Sequence, residues 1–438
     1  SAPAADWTVK IHPVALNPND TVYIQNVATG RYLGSGEAWG TQAVVNELAK
    51  AGKCVLRQLA DGTYQINNDV KGWTHVVFRT AGDGTMGKGV KGCFVDYGED
   101  RDVKPTRWSV NDIGNNVYTF QVPDLPDYQL TEESTPEDSL YGHIEGQYLG
   151  VNRNHASKSK VDGITWGLYY DAVYADSAEN CQFVFLPVNI VDAKAKLLSV
   201  VEKAASSNLD VTAGAALLAD GNATIEAMEA EVDRIVDRLE SVASPTNPQD
   251  ITTKYISNPT PLGKGTPAGW TVLNREGNPG STGDSDNGVG EFWNKLGYTL
   301  KYTIHQLPAG IYRFTAIALT RTGMHGKFFV NEKSMDIATV GSGTVNWRPE
   351  AKRWFTEDED GDGITNGTNT ITLVLPEAAE VTLGLMADTT QANKDGWTVW
   401  REFKLESLGS GLETFQYVCK DILAQANAIS ESGVDFTA

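Results

Sequence analysis

Basic side chains are scarce in this chain: 36 Lys and Arg stand against 56 Asp and Glu, and the net charge is −20. Nucleic acid and anionic lipid are polyanions held by clustered Lys and Arg, so neither is an expected partner. No stretch approaches eighteen consecutive apolar residues, which excludes insertion into a membrane as a helix. Cysteine is equally sparse. Cys54, Cys93, Cys181 and Cys419 form no CxxC and share no ligand spacing with the six histidines, so no structural zinc motif is present. In a chain of 438 residues so few thiols are expected buried and free rather than paired in a disulfide framework.

Catalytic motifs are missing as well. There is no Gly-x-Ser-x-Gly elbow, no His-Glu-x-x-His and no Gly-rich phosphate loop. His155, His305 and His325 stand without a nearby nucleophile or acid, and no motif selects a glycosidase pair from the 56 carboxylates. Catalysis within these residues is not expected. Aromatics, by contrast, are plentiful, with eleven Trp and sixteen Tyr, the side chains that stack on sugars or anchor interfaces. The length calls for two or three domains. The opening "SAPAADWTV" lacks Met, which with the acidity leads to the expectation of a processed protein that is secreted, periplasmic or on a bacterial cell surface.

Residues 1–188 repeat themselves three times. "TVYIQN", "TYQINN" and "VYTFQV" are Tyr-centred strands, followed by "GRYLGSG", "GCFVDYG" and "GQYLGVN", then by "CVLRQL", "RWSVND" and "CQFVFLP". Trp39-Gly40 precedes Cys54 by fifteen residues, and Trp166-Gly167 precedes Cys181 by the same interval. Such units read as a closed or nearly closed all-β barrel, with Trp39, Trp166, Cys54 and Cys181 as core. The "NVATGRYLG…WGT" style resembles ricin-type β-trefoils of secreted bacterial proteins. The Gln-x-Trp and early Asp of those lectins are approached only at Trp108 and Asp96, so the resemblance bears on the fold more than on sugar binding.

Residues 189–245 change to helical periodicity and read as a hairpin connector. Ala195, Leu198, Val201 and Ala205 form one stripe; Ile225, Met228, Val232, Ile235, Val236 and Leu239 form another. Between them "NLDVTAGAALLADG" reads as a turn, with Asn222 as the cap of the second helix. "ILAQANAISESGVDFTA" at 422–438 aligns without gaps on "LLSVVEKAASSNLDVTA" at 197–213, so residues 410–438 are expected to begin a second helical connector, with a further domain beyond Ala438.

Residues 246–409 return to strands. "LPAGIYRF", "EVTLGLMA" and "GWTVWREFKLESLG" resemble the galactose-binding-like jelly rolls that include many carbohydrate-binding modules. Phe314, Ala316 and Ala318 alternate with Thr315, Ile317 and Leu319, so their strand is expected to be covered on both faces. The resemblance implies sugar binding by loops at one end or on a concave face, with Trp270, Asn274, Asn346, Trp347, Arg348 and Trp354 as candidates; Trp293, Trp397 and Trp400 read as core. It also implies a structural calcium. "FTEDEDGDGITNG" offers Asp358, Asp360 and Asp362 at alternate positions before Gly363, but Asn369 stands where an EF-hand has its Glu. The expected architecture is mainly β: trefoil-like barrel, helical hairpin, β-sandwich jelly roll and C-terminal helix. The expected activity is glycan binding; the alternatives are a spacer within a larger glycoside hydrolase or other secreted hydrolase, and a protein-binding adhesin module.

Overall fold

The computed structural model describes residues 6–36, 42–68, 75–80, 91–96, 107–121, 123, 148–156, 166–171, 179–263, 265–285, 289–341, 345–348, 353–356, 367–387, 396–411, 414–416, 419–420, 422–424 and 427. It is mainly β, with several sheets and few helices.

The first sheet holds β1 (Thr21–Asn26), β2 (Tyr32–Gly36), β3 (Gln42–Asn46), β4 (Cys54–Gln58), β5 (Tyr64–Asn68), β6 (His75–Thr80) and β7 (Lys91–Asp96). It continues with β8 (Ser109–Gly114), β9 (Val117–Gln121), β10 (Tyr148–Ala156), β11 (Trp166–Asp171) and β12 (Phe183–Pro187). Pairing runs from β1 through β12, β9, β10, β11, β3 and β2 back to β1, so this part of the sheet closes on itself. Closure removes the exposed edges that would otherwise template aggregation. Alternation in β1 sends Val22 and Ile24 into a core with Leu33, Cys54, Trp108, Phe120 and Phe185, whereas Tyr23 packs on the other face against Val184, Leu186 and Val191. Cys54 and Cys181 are buried, and Trp108 is core rather than a sugar platform. Trp39 and Asp96's side chain lie outside what is described, as does the indole of Trp166.

Helix α1 (Val188–Ser206) starts directly from β12, followed by α2 (Thr212–Ala219), α3 (Ile225–Val242) and the short α4 (Thr252–Tyr255). The stretch expected as a turn is therefore a helix, α2, for which its Ala and Leu residues are the strongest formers. The cap of α3 is Thr224, whose hydroxyl accepts from Ala227 N, rather than Asn222. The α3 stripe is buried from Met228 to Leu239 as read, while α1 turns by about one residue and buries Val191, Lys194, Leu197, Val200, Val201 and Ala204. Lys194 explains the rotation. Its ammonium donates to the carbonyls of Leu217, Leu218 and Asp220 at 2.5, 2.9 and 2.7 Å, satisfying the open end of α2.

The remaining strands are β13 (Gln249–Asp250), β14 (Thr271–Leu273), β15 (Gly283–Ser285), β16 (Val289–Trp293), β17 (Thr299–Leu307), β18 (Gly310–Arg321) and β19 (Gly326–Val330). They are followed by β20 (Lys333–Asp336), β21 (Thr339–Val340), β22 (Val345–Arg348), β23 (Arg353–Thr356), β24 (Thr368–Leu375), β25 (Ala379–Ala387) and β26 (Trp397–Ser407). One sheet runs β15-β16-β26-β18, with β21 and β24 on β18; the other runs β14-β17-β25-β19-β20. Phe314, Ala316 and Ala318 of β18 enter the core that the two sheets share, and Ile317 and Leu319 face the other way, under the β22–β23 hairpin. That core is continuous with Leu197, Val201, Met228 and Ile235 of the helices. The helices are thus packed onto the sandwich rather than strung between units. Helical backbone recurs at 414–416, 419–420 and 422–424.

Candidate functional site

The three tryptophans expected in a loop-end site are inside. Trp347 and Trp354 lie opposite each other in the β22–β23 hairpin, with ring centroids 5.2 Å apart, and are 5% and 1% exposed. They cover Ile317, Leu319, Trp397 and Val399 on the outer face of the sheet. Trp270 is 4% exposed between the sheets, 4.5 Å from the Phe403 ring, and its Nε1 donates to Asn258 O at 2.7 Å. Asn274 closes its own turn, accepting from Glu276 N and Asn278 N at 3.1 and 2.9 Å. A buried indole presents no face to a sugar, so Trp270 and Trp354 are corrected from ligand contacts to core. Asn346 and Arg348 are on β22, but their side chains lie outside what is described, as do Asp358, Asp360 and Asp362 altogether. Asn369, at the EF-hand's last ligand position, is committed elsewhere. Its Nδ2 donates to Ala316, Ala318 and Gly367 carbonyls, each at 3.0 Å, and its Oδ1 accepts from Ala338 N at 2.8 Å.

One expected residue, Trp347, does reach a cavity. On the outer face of the sheet the hairpin covers the apolar half and stops. Beyond it β26 turns polar outward, at Glu402, Lys404 and Glu406, while Phe403 and Leu405 alternate into the core. A bulge sets this boundary: Ile317 pairs with Glu402 and Ala318 with Trp400, leaving Arg401 as the extra residue. Arg401 donates to Glu47 Oε1 at 2.9 Å, its guanidinium carbon 6.0 Å from the Trp347 ring centroid. Glu47 follows β3, so the floor of the cavity is tied to the N-terminal sheet.

The opposite wall is α1, which presents Ser199, Glu202, Lys203 and Ser206 at helical spacing, one face of the helix. Gln249, Asp250, Thr252, Thr253, Trp347 and Arg401 contribute to the remaining lining. The cleft so formed has a volume of about 620 Å³. Its cations are paired: Lys203 to Asp250 at 3.2 Å, Lys404 to Glu402 at 3.1 Å and Arg401 to Glu47 at 2.9 Å, while Arg313 pairs with Glu406 at 2.7 Å. Ser207 Oγ donates to Gln249 Oε1 at 2.8 Å, locking α1 to β13. Behind this wall Tyr255 of α4 donates to Glu240 Oε1 at 2.8 Å; burial first, and the Glu240 carboxylate second, push its phenol far above the ordinary range. Tyr312, raised by burial and then by Glu240, is pushed up to about 12. Both phenols remain donors: Tyr255 ties α4 to α3, and Tyr312 donates to Pro308 O at 3.0 Å within the sandwich.

Sequence reading missed two features. The cleft joins segments spread from residue 199 to residue 406, so no local motif could announce it. Trp293, read as core, is 65% exposed at the end of β16. Alternation with the buried Phe292 was the available signal.

No protein-family model matches the chain, and no curated protein matches it. Among solved structures it is similar to TmCBM61 in complex with β-1,4-galactotriose, with 15% identity, 34% of this chain and 96% of that one covered, and a TM-score of 0.21. A ricin B-like lectin from Macrolepiota procera in complex with lactose has 8% identity, coverage of 39% and 98%, and a TM-score of 0.24. A proteinase inhibitor from Coprinopsis cinerea has 14% identity, coverage of 40% and 100%, and a TM-score of 0.25. At these TM-scores a functional reading rests on the cleft itself.

Proposed function

We propose that the chain is a non-catalytic glycan-binding protein, secreted, periplasmic or at a cell surface, whose sugar lies in the cleft between α1 and the outer face of β26. The observation that carries this reading is the lining. A cavity of about 620 Å³ is in the size range of small-molecule sites, but those are usually walled by apolar side chains. Here hydroxyls, the Gln249 amide and charged side chains make most of the walls, and Pro248, Pro259, Phe403 and the Trp347 indole supply the apolar part. A polyhydroxylated ligand matches that surface; an apolar one does not. Lys203, Lys404 and Arg401 each have a carboxylate partner, so no uncompensated cation calls for a polyanion. In this reading the N-terminal, trefoil-like unit steadies the floor through Glu47, and the helices supply a wall.

The test is a glycan array and affinity gel with the wild type and with Lys203→Ala and Lys404→Ala. Both lysines make partly exposed ion pairs, so their loss costs about 0–1 kcal/mol of stability and leaves the fold in place. Binding by the wild type that weakens in both variants supports the cleft. Undiminished binding in both moves the site elsewhere. The continuous core of helices and sandwich favours a second reading, a stiff spacer in a larger hydrolase; failure to bind any glycan is its expected result.

A further inference from the structure

We propose that Trp293 is a second, separate sugar-stacking contact for an extended glycan chain, an inference that rests on the glycan reading of the cleft. Trp293 ends β16, and because Phe292 enters the sandwich core its neighbour stands on the outer face. The backbone beneath the ring is fixed. Trp293 is laddered to Trp397 of β26, and β15 holds β16 from the other side at Glu291. Immediately afterwards Asn294 takes φ 58°, and Lys295 N donates to Gly396 O at 3.1 Å, reversing the chain. Lys295 is itself anchored, its Nζ donating to Ser281 O at 2.7 Å and lying 4.4 Å from the Tyr298 ring centroid.

A large apolar ring left 65% open on a rigid strand invites a ligand, and its surroundings say which kind. Protein partners bind at contiguous apolar patches inside a polar rim. Among the described residues no other exposed large hydrophobe lies beside Trp293. Its chain neighbours Glu291, Asn294 and Lys295 are polar, its cross-strand neighbour Trp397 is buried, and Val374, the other exposed large hydrophobe among the described residues of the sandwich, lies on β24, beyond β26 and β18. An isolated flat ring amid hydrogen-bonding groups matches a pyranose, which offers one apolar C–H face and a rim of hydroxyls. The chain's net charge of −20 disfavours a polyanionic polysaccharide, so the ligand class is a neutral one.

Trp397, opposite Trp293, precedes the cleft residue Arg401 by four positions, about 13 Å along a strand. A trisaccharide seated in the cleft leaves Trp293 uncovered, whereas a polysaccharide reaches both contacts and gains avidity from the pair. The experiment uses the intact chain and Trp293→Ala, with galactan, xylan and laminarin in affinity gels and the matching trisaccharides by calorimetry. The variant should melt with the wild type, since the ring is mostly in solvent. The expected result is about tenfold weaker retention by the polysaccharide that the wild type binds, with trisaccharide affinity unchanged and retention recovered in Trp293→Tyr. Equal retention of wild type and Trp293→Ala overturns the inference while leaving the cleft reading intact. Loss of trisaccharide binding as well overturns the separation of the two contacts. Absence of binding by the wild type to every probe overturns both readings.

Discussion

Replacing Asn369 perturbs the sandwich where one side chain holds three segments together. Its amide donates to three backbone carbonyls at 3.0 Å and accepts one backbone N–H at 2.8 Å, and it is fully buried beside the β18–β26 bulge. Each net hydrogen bond is worth roughly 1 kcal/mol, and a buried group left unpaired costs roughly 1–3 kcal/mol. The carbonyls retain second lone pairs and some ladder partners, so Asn369→Ala should cost about 3 kcal/mol. For a unit of this size that is a fall of about 6–12 °C in Tm. Asn369→Asp should be worse than Ala, because a carboxylate would face three carbonyl oxygens with nothing to donate. Differential scanning calorimetry orders the three proteins. A loss below about 1 kcal/mol in Asn369→Ala, or an Asp variant more stable than the Ala variant, would refute the assignment of Asn369 as a backbone clamp. Asn369→Glu, the change that completes an EF-hand pattern, should likewise destabilise and gain no calcium affinity.

Three further outcomes are expected. Gly290 lies opposite Trp400, and a Cβ there would sit 2.5 Å from the indole, which is itself held by Nε1 donating to Pro261 O at 2.9 Å; Gly290→Ala should cost about 1–3 kcal/mol by urea denaturation, and a neutral change would mean that Trp400 moves freely. Asp192 accepts from Tyr23 Oη at 2.9 Å between the first sheet and α1, and burial raises its pKa against the opposing effects of Tyr23 and Lys53. The protonated acid is therefore favoured in the folded state, so its stability contribution is complete below the ordinary value of about 3.9 and lost as pH rises through the raised one. Asp192→Asn keeps the acceptor and removes that loss, so its Tm should gain on the wild type between pH 3.5 and 7; parallel profiles would contradict this. The Asp358, Asp360 and Asp362 string is expected to take Ca²⁺, with a chelator lowering the melting midpoint; an unchanged midpoint removes it as a structural metal site.

Local periodicity carried much of the fold. The α3 stripe and the two-faced β18 could be read because each rests on neighbours three or two residues apart. What failed was decided by distant partners. Lys194 is polar, so the stripe of α1 was drawn without it, yet three carbonyls of α2 bury it. Trp347 and Trp354 stand as loop candidates only through the resemblance to sugar-binding jelly rolls, although the Val345–Trp347 alternation already has the form of a covered strand. Among the described side chains of the expected site, Trp347 alone lines the cleft; Arg401, Lys404 and the α1 face come together only through the bulge in β26 and the packing of helices on the sandwich.

Hydrogen–deuterium exchange of the intact chain, with and without the glycan that binds most tightly in the array, tests the location of the site most directly. The cleft predicts new protection in two stretches far apart in sequence, 199–207 of α1 and 401–406 of β26, appearing together at the same ligand concentration. Protection confined to the first sheet, or to β26 without α1, would contradict a cleft that the helices help to build.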